Sequence, residues 1–314
     1  MQTQTLTDIR PAAKTAKFWR VSPLVRQEML AGYLFVLPAF ALLTIFVIFP
    51  ILAAFVLIFL HYDLLTPPVW AGLENITRVF TDKRLFQIYI NSVILVLGAT
   101  FLNNVLGLLL AMGVNRSMPA VLRYFLRSSI FFPVLTTTAS LALVWQFLLA
   151  TDRGVVNYLL QQVSLNPIPW LSSSTWSLRS VILYDVWKSC GYLMVIYLAG
   201  LQGIPEVYYE AAKIDGANRL QLLRHITLPL ISPTAFFAIV ISLIGAFQIF
   251  DNAQVLTDGE PGDSSRVIVM YIYEKGFRGF EMGYASAVSF TLFIILMALT
   301  IFQFWGARKW VHYE

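Results

Sequence analysis

The chain has 314 residues, of which 58% are hydrophobic and 12% are charged, and its mean hydropathy is +0.71. Soluble domains carry roughly 45–50% apolar and about 25% charged residues, so this composition excludes a soluble globular protein and predicts an integral membrane protein. The formal net charge of +5 does not indicate nucleic-acid binding, because the positive residues concentrate on one side of the predicted membrane topology. Cys190 is the single cysteine, which excludes an internal disulfide, and the three histidines lie too far apart in the sequence to predict a metal site.

A basic tail, predicted over 1–31, precedes the first apolar run at 33–60. A cleaved signal peptide has an apolar region of only about 7–15 residues, so this longer run is predicted to remain in the membrane. A spanning helix needs about 20 mostly apolar residues. By this criterion six spans are predicted at 32–60, 88–112, 124–149, 180–201, 233–255 and 282–305, followed by a short tail at 307–314.

These apolar runs are too long and too evenly apolar to be the alternating strands of a barrel. The predicted fold class is therefore all-α: a polytopic membrane protein with a single six-span domain over 32–306. Each proline inside or at the edge of a span removes a backbone donor and predicts a kink. The prolines in question are Pro38, Pro50, Pro133 and Pro233.

Six spans place both termini on the same side of the membrane. Of the 22 Lys and Arg residues, 13 fall on that side and 8 on the opposite side, and Lys188 lies within a span. Positive residues favour the cytoplasmic side. Both termini and the polar loop 203–232, which joins the fourth and fifth spans, are therefore predicted to be cytoplasmic.

The loop 203–232 has the pattern of a short helix, a bend and a second helix. Pro205 suits the start of a helix, and Glu206 places negative charge near that helix N-terminus. Gly216 permits a bend, and 218–226 favours a second short helix whose basic residues reach water or anionic lipid. Physical reasoning alone leaves two interpretations open: a connector that lies flat on the bilayer, or a surface that another protein grips.

The spacing of residues within this loop is specific. Glu210-Ala211-Ala212 is followed after three residues by Gly216, and after nine more by Ile226-x-Leu228-Pro229. This pattern resembles the signature of the membrane subunits of binding-protein-dependent ABC importers. Flanking segments resemble the carbohydrate-uptake branch of that family, the permeases of maltose, glycerol-phosphate and trehalose type. These segments are Trp187-Lys188, 201–205, Phe250-Asp251, 255–257, 271–273 and 283–286.

The resemblance covers about 30–306 and departs from the family pattern at 257–261, where a glycine run and a proline are usual. It implies that the loop forms a coupling helix, which docks on a cytoplasmic ATPase subunit and transmits the ATP-driven closure of two such subunits to the membrane halves. Glu210 is then the expected polar contact, while Ala211 and Ala212 allow close approach and Gly216 fits the bend. The other coupling residues that the resemblance implies are Asp215, Ile226, Leu228 and Pro229.

The resemblance also implies the partners of the chain. They are a second homologous permease or a second copy, two ATPase subunits, an extracytoplasmic solute-binding protein, membrane lipid of a bacterial or archaeal cytoplasmic membrane, and a carbohydrate or related polyol as substrate. The sequence contains no G-x-x-x-x-G-K-[ST] phosphate loop, so the chain is predicted to be non-catalytic and without a cofactor of its own, and ATP and Mg²⁺ are expected on the ATPase subunits. Disaccharide, oligosaccharide, glycosylated polyol and glycerol phosphate remain open as substrates.

Polar residues inside the spans are candidates for the substrate pathway, because an ionisable group there costs roughly 2.5–3.5 kcal/mol and usually faces a pore or a partner. Asp185 and Lys188 are three apart on one helical face and can pair with each other; the alternative is an ion pair at the membrane interface. Gln248, Asp251 and Asn252 offer donors and acceptors for sugar hydroxyls, or else mark the outer end of the fifth span. Aromatic rings suited to stacking on a sugar complete the set: Trp145, Tyr192 and Tyr284.

A secondary transporter or channel that needs no ATPase is the alternative function. It predicts carboxylates for ion coupling in the middle of spans, whereas Asp185 and Asp251 lie off-centre, and it gives no reason for the signature at 210–229. An ABC exporter is a further alternative within the same class, but its ATPase domain is usually fused to the membrane domain. A membrane structural or signalling protein predicts no transport at all.

Overall fold

The structure is a computed structural model that describes residues 23–311, and it consists mainly of helices, which confirms the predicted all-α class. The chain divides into two compact units, whose described residues are 23–53 and 54–311. The only strands within 23–311 are β1, Leu60–His61, and β2, Val69–Trp70, which pair antiparallel.

The first unit is built on one long apolar helix. α1 spans Pro23–Leu43 and passes through a π-helical turn at Thr44–Ile48 into α2, Phe49–Leu57, which crosses into the second unit. The stretch Arg26–Leu57 has a mean hydropathy of 2.9 and is long enough to cross a membrane. The predicted tail 1–31 lies largely outside the described residues, and its last part is helical.

The second unit contains helices of very different lengths. In chain order they are α3 Glu74–Thr81, α4 Lys83–Val114, α5 Ala120–Leu135, α6 Thr138–Leu148, α7 Val155–Gln162, α8 Ser177–Gln202, α9 Glu206–Ile214, α10 Arg219–Leu222, α11 Leu228–Leu230, α12 Ser232–Phe247, α13 Asp251–Leu256, α14 Ile268–Tyr273 and α15 Met282–Ala307.

Four helical stretches within 23–311 are long and apolar enough to cross a membrane without a break: the N-terminal one, α4, α8 and α15. Two bent helix pairs also qualify, and counting each pair as one span gives the six that the sequence predicts. One pair joins α5 and α6, and the other joins the helix ending with α11 to α12. The lengths and hydropathy of these helices therefore support a helical membrane protein that crosses the membrane several times.

The third predicted span, 124–149, is wrong as a single helix, because the chain bends by 101° between α5 and α6. Pro133 lies in the last turn of α5 and has no N–H to donate. Thr136 and Thr137 then adopt extended backbone with ψ of 148° and 133°, a conformation that β-branched residues favour. The hydropathy of 124–149 predicts one continuous helix, but the backbone preferences of its proline and threonines end that helix.

The fifth predicted span, 233–255, is also wrong as a single helix. α12 ends at Phe247, and the chain leaves helical geometry before α13 begins, with Phe250 at φ −130° and ψ −63°. The change coincides with the end of the apolar run and the start of polar side chains. Such non-helical backbone at membrane depth is tolerated where it is buried in protein or lines a water-filled cavity.

The core of the second unit is centred on α4 and α8. A Cβ added to Gly107 of α4 would lie 2.8 Å from Leu193 Cβ of α8, so only glycine allows this close approach. Next to it, Met194, Tyr197 and Ile231 are buried in one apolar cluster. A larger cluster surrounds the other halves of the same two helices together with α13, α14 and α15. The α4–α8 pair is therefore the support against which the broken helices are placed.

Candidate coupling segment and translocation pocket

The first helix of the polar loop, α9, has the boundaries that its sequence predicts. Pro205 precedes it in extended backbone and Glu206 lies in its first turn, where negative charge is favoured. The helix ends at Ile214, and Gly216 follows the cap residue with a φ of +80°, which glycine adopts without a Cβ penalty. The N–H of Ala217 donates to the carbonyl of Ala212 at 2.9 Å, as in a Schellman cap. The predicted bend at Gly216 is confirmed.

The second helix of the loop is longer than predicted. Asn218 and Gln221 form a reciprocal capping box at its start, and the helix continues through α10 and a π-helical turn at Leu223–Thr227 to Leu230. A proline usually interrupts a helix, but Pro229 lies inside this one, because the π turn directly before it re-arranges the hydrogen bonds that a proline disrupts. The bend of 65° falls after Leu230 instead. We call residues 206–230 the polar segment.

A single hydrogen bond ties the two helices of the polar segment together. The hydroxyls of Tyr209 and Thr227 lie 3.1 Å apart, and Thr227 is buried. Because α12 follows directly after Leu230, this contact links the position of α9 to the helix that leads into the pocket described below.

The surface of the polar segment is exposed and has no partner within residues 23–311. Ile214 is 87% exposed and Leu220 is 71% exposed, although large apolar side chains on a charged helix normally face a core. The side chains of Glu210 and Asp215 are exposed and form no ion pair or hydrogen bond with a described residue. A groove of about 320 Å³ lies beside them, lined by Ala212, Asp215, Gly216, Ala217, Gln221, Leu222, His225 and Ile226.

The signature residues thus fall into two sets. Glu210, Ala211, Asp215, Gly216 and Leu228 are exposed, whereas Ala212, Ile226 and Pro229 are half-buried. The first set is available to another protein, and the second set supports the geometry of the loop from beneath.

Asp185 of α8 is the acidic residue at the centre of a second site. It is 7% exposed and accepts two hydrogen bonds of 3.0 Å, one from Asn103 of α4 and one from Asn252 of α13. The predicted pairing with Lys188 is not found, since no ion pair joins these two residues. Amides from other helices satisfy the carboxylate instead, which a search along one helix face could not reveal.

Both helix breaks meet at this aspartate. A pocket of about 240 Å³ is lined by Thr138, Asp185, Lys188, Ser189, Gly245, Gln248, Ile249, Phe250, Asp251 and Asn252. Thr138 begins α6 just after the first break, the residues from Gln248 to Phe250 form the second break, and Asp251 begins α13 after it. The amide of Gln146 on α6 donates to the carbonyl of Val255 on α13 at 3.2 Å, which fixes the two breaks relative to each other. We call this site the polar pocket.

The polar pocket unites five of the eight residues that the sequence singles out for the pathway: Asp185, Lys188, Gln248, Asp251 and Asn252. Trp145 does not line it but lies behind it, with its ring 5.6 Å from that of Tyr184 and 5.3 Å from that of Trp187. Tyr184 in turn donates to the carbonyl of Thr138 at 2.7 Å. Trp145 therefore supports the wall of the pocket, and Tyr192, which is half-exposed on α8, is also not among the lining residues.

Sequence reasoning missed Asn103, which holds Asp185, and Thr138 and Ser189, which line the pocket. The pair Asn103-Asn104 within an apolar run was the available signal, because amides in a span are costly unless they find partners. Asn104 forms a second polar contact between helices, accepting from Tyr197 at 2.8 Å and donating to Ser242 at 2.7 Å.

Tyr284 lies apart from the polar pocket. It is 1% exposed and donates to Asp82 at 2.7 Å, beside a second hydrogen bond of 2.5 Å from Tyr271. Asp82 also caps α4 by accepting from the backbone of Arg84 and Leu85. Burial raises the pKa of the Asp82 carboxyl, but these hydrogen bonds outweigh that effect and hold its pKa below the ordinary 3.8.

A ring of charges surrounds this tyrosine pair. Arg84 and Arg266 each contact both Asp263 and Glu274, with 2.9 Å between Arg266 Nη1 and a Glu274 oxygen. Hydrogen bonds from Arg84 and then from Arg266 hold the pKa of Asp263 below its ordinary 3.8, against the opposing effect of burial. Arg78 and Lys275 pair with Glu281 alongside. We call these seven charged residues the ion-pair network.

Comparisons with known proteins agree with this geometry. Residues 103–311 match a family described as the inner membrane component of binding-protein-dependent transport systems. The chain is 35% identical to the probable ABC transporter permease protein YesP of Bacillus subtilis (strain 168), over 92% of this chain and 94% of that protein. It is 31% identical to the trehalose/maltose transport system permease protein MalF of Thermococcus litoralis, over 89% of this chain and 94% of that protein.

The fold has a counterpart among solved structures. A chain of a bacterial ABC transporter involved in the import of the acidic polysaccharide alginate superposes with a TM-score of 0.80 at 24% identity, covering 91% of this chain and 97% of that chain. The same superposition quality, 0.80, is found with that transporter in complex with an alginate-bound periplasmic protein. At this identity the likeness demonstrates a common fold.

Proposed function

The chain belongs to the inner membrane components of binding-protein-dependent transport systems, the permease subunits of ABC importers, and we propose that it forms part of the membrane pathway for a carbohydrate or related polyol glycoside. The observation that carries this proposal is the polar segment, in which Glu210, Asp215 and other exposed signature residues form an unpaired surface directly connected to the helix that enters the polar pocket.

In this function the polar segment is the element that a cytoplasmic ATPase subunit grips. The exposed Ile214 and Leu220 supply apolar contact, and Glu210 supplies a charge that no described residue of this chain neutralises. ATP and Mg²⁺ bind to the ATPase subunits, and this chain contributes no catalysis. The Tyr209–Thr227 hydrogen bond passes displacement of α9 to the start of α12.

The polar pocket is the part of the pathway that contacts the substrate. Lys188, Gln248 and Asp251 present donors and acceptors at the ends of flexible side chains, which suits hydroxyl groups. Two broken helices that meet at a polar cavity are also how membrane transporters expose backbone groups to a solute. A sugar as substrate is supported by the relative named for trehalose and maltose transport.

The remaining partners follow from the family. A second permease, homologous or identical, completes the pathway, and a solute-binding protein delivers the substrate from the side opposite the polar segment. The excess of positive residues supports cytoplasmic termini and a cytoplasmic polar segment, in a bacterial or archaeal inner membrane.

Transport by reconstituted vesicles tests the proposal. Vesicles that hold this chain with its permease partner, ATPase subunits and binding protein are expected to accumulate labelled sugar only when ATP is supplied to the side of the polar segment. Omission of the ATPase subunits is expected to abolish uptake. Uptake driven by an ion gradient through this chain alone would instead establish the secondary transporter.

A further inference from the structure

Two arginines of α5, Arg123 and Arg127, are partly buried without being satisfied. They lie four residues apart and so share one face of the helix. The Nε of each is buried and has no hydrogen-bond partner among the described residues. Their one side-chain hydrogen bond within 23–311 runs from Arg123 Nη2 to the carbonyl of Met118 at 3.3 Å, and neither forms an ion pair there.

The helix itself does not compensate these charges. α5 has no acidic residue and no side-chain cap in its first turn, and the helix dipole disfavours positive side chains near that end. Like charges four residues apart also repel. A guanidinium N–H that is removed from water without an acceptor adds a further cost. A bound anion beside the two guanidinium groups would offset the helix dipole and the repulsion between them, and would accept hydrogen bonds from their Nη groups.

The neighbouring side chains indicate what kind of anion this is. Val121, Tyr124 and Phe125 on the same turns of α5 are strongly exposed and apolar. α5 and α6 together are long and apolar enough to cross a membrane, so the exposed apolar surface of α5 is suited to contact with acyl chains. The first turns of α5 then lie at the depth of the lipid headgroups.

We propose that Arg123 and Arg127 form a binding site for the phosphate of an anionic membrane lipid. The planar guanidinium presents parallel N–H donors that match two oxygens of a phosphodiester. Soluble phosphate shares this chemistry, but the exposed apolar side chains around the arginines accommodate the acyl chains of a lipid. This site lies outside the polar pocket and the polar segment, and its occupancy does not depend on the proposed transport function.

The test uses the full-length chain with its co-purified partners in nanodiscs of phosphatidylcholine containing a minor fraction of phosphatidylglycerol. Native mass spectrometry counts the phosphatidylglycerol molecules retained as the surrounding lipid is stripped. The double variant R123Q/R127Q is expected to weaken retention at least about tenfold, because each lost hydrogen bond to a charged group contributes on the order of 1.4 kcal/mol or more. R308Q, which removes an exposed arginine at the end of α15, is the matched control and is expected to retain the lipid.

A second double variant, R123K/R127K, keeps the test valid if R123Q/R127Q fails to insert. It is expected to retain an amount of phosphatidylglycerol between those of the wild type and R123Q/R127Q, because lysine keeps the positive charge but lacks the paired N–H donors of arginine. Equal retention by the wild type and by both double variants would overturn the proposal. Release of the lipid by added inorganic phosphate would reassign the site to soluble phosphate. Loss of a co-purified protein from R123Q/R127Q at unchanged lipid retention would reassign it to a protein carboxylate.

Discussion

The ion-pair network and the polar segment use charge in opposite ways. All seven ion pairs among residues 23–311 join side chains of the network or the nearby pair His61–Glu74, whereas no charged side chain of the polar segment forms one. The network fixes the loop before α15 to the start of α4. Charges that satisfy each other stabilise one arrangement of the chain, and charges left without a partner are available to another molecule.

The largest expected effect of a single substitution is on transport, at the unpaired side. Glu210→Lys should reduce ATP-driven uptake by more than about tenfold, because truncation of a charged contact in an interface costs roughly 2–5 kcal/mol. The thermal midpoint should not change, since Glu210 has no partner within the described chain. Uptake is measured on the reconstituted complex, and the thermal midpoint is measured on this chain without the ATPase subunits.

Asp152→Lys provides the control, because it reverses an exposed, unpaired acid far from the polar segment. Gly216→Pro should resemble Glu210→Lys in transport, since proline cannot adopt the φ of +80° at that bend. Normal uptake by both Glu210→Lys and Gly216→Pro would contradict the docking role.

In the interior of the protein, the carboxyl oxygens of Asp185 accept hydrogen bonds from side-chain amides rather than from cations. Asp185→Ala should lower the free energy of unfolding by about 2–6 kcal/mol, because it leaves Asn103 and Asn252 each with a buried, unpaired N–H that costs about 1–3 kcal/mol. Thermal unfolding in detergent measures this loss. Asp185→Asn retains one acceptor oxygen and should lose about half as much free energy of unfolding. Equal thermal midpoints for Asp185→Ala and the wild type would show that these two hydrogen bonds do not stabilise the fold.

Arg84 tests the paired side of the comparison. Arg84→Met should lower the free energy of unfolding by about 1–2 kcal/mol, a value kept small because the side chain is 39% exposed. Lys83→Met removes the adjacent exposed cation, which has no ion pair, and should be neutral within about 0.5 kcal/mol. Transport should be affected less than stability, and a large loss of uptake at wild-type stability would contradict a structural role.

The stability difference between wild type and Arg84→Met should depend on pH. Because the folded chain holds the pKa of Asp263 below 3.8, the stabilisation is complete above that ordinary value and disappears as pH falls through the lowered folded value. The two thermal midpoints should therefore stay apart from neutral pH to about pH 5 and converge in stronger acid. A difference that widened on acidification would have the wrong sign for this carboxylate.

The smallest expected effect is that of Tyr209→Phe, which removes one half-buried hydrogen bond within the polar segment. The loss in stability should be about 1 kcal/mol. Hydrolysis by the assembled complex should persist while sugar carried per ATP falls, because α9 loses its tie to the helix that leads into α12. Tyr208→Phe, on an exposed neighbouring tyrosine whose hydroxyl forms no described hydrogen bond, should behave as wild type in both assays.

The sequence predicts a structural feature well when the residues that determine the feature are neighbours in the chain. The bend at Gly216 and the helix starts at Pro205 and Asn218 depend on residues within one turn, and these predictions were accurate. The partners of Asp185 lie 82 and 67 residues away along the chain, so a helical-face argument chose Lys188 instead. On the sequence alone, Tyr284 is assigned to the pathway because its ring could stack on a sugar. In the structure its hydroxyl donates to Asp82 instead.

The broken spans show the same limit from another side. Hydropathy averaged over about 20 residues predicts that a segment crosses the membrane but is blind to where its backbone leaves the helix. Pro133 and the threonines after it, and the change from apolar to polar side chains after Phe247, were visible in the sequence. Only the packing of α6 against α13 shows that the two interruptions meet.

The Tyr209–Thr227 hydrogen bond lies wholly within residues 206–230, and so do the Schellman cap and the capping box that flank it. The polar segment thus carries its own shape and borrows little from the bundle above it. A chimera that received residues 206–230 from a related permease should therefore assemble with the ATPase subunit of that relative while it still transports its own substrate.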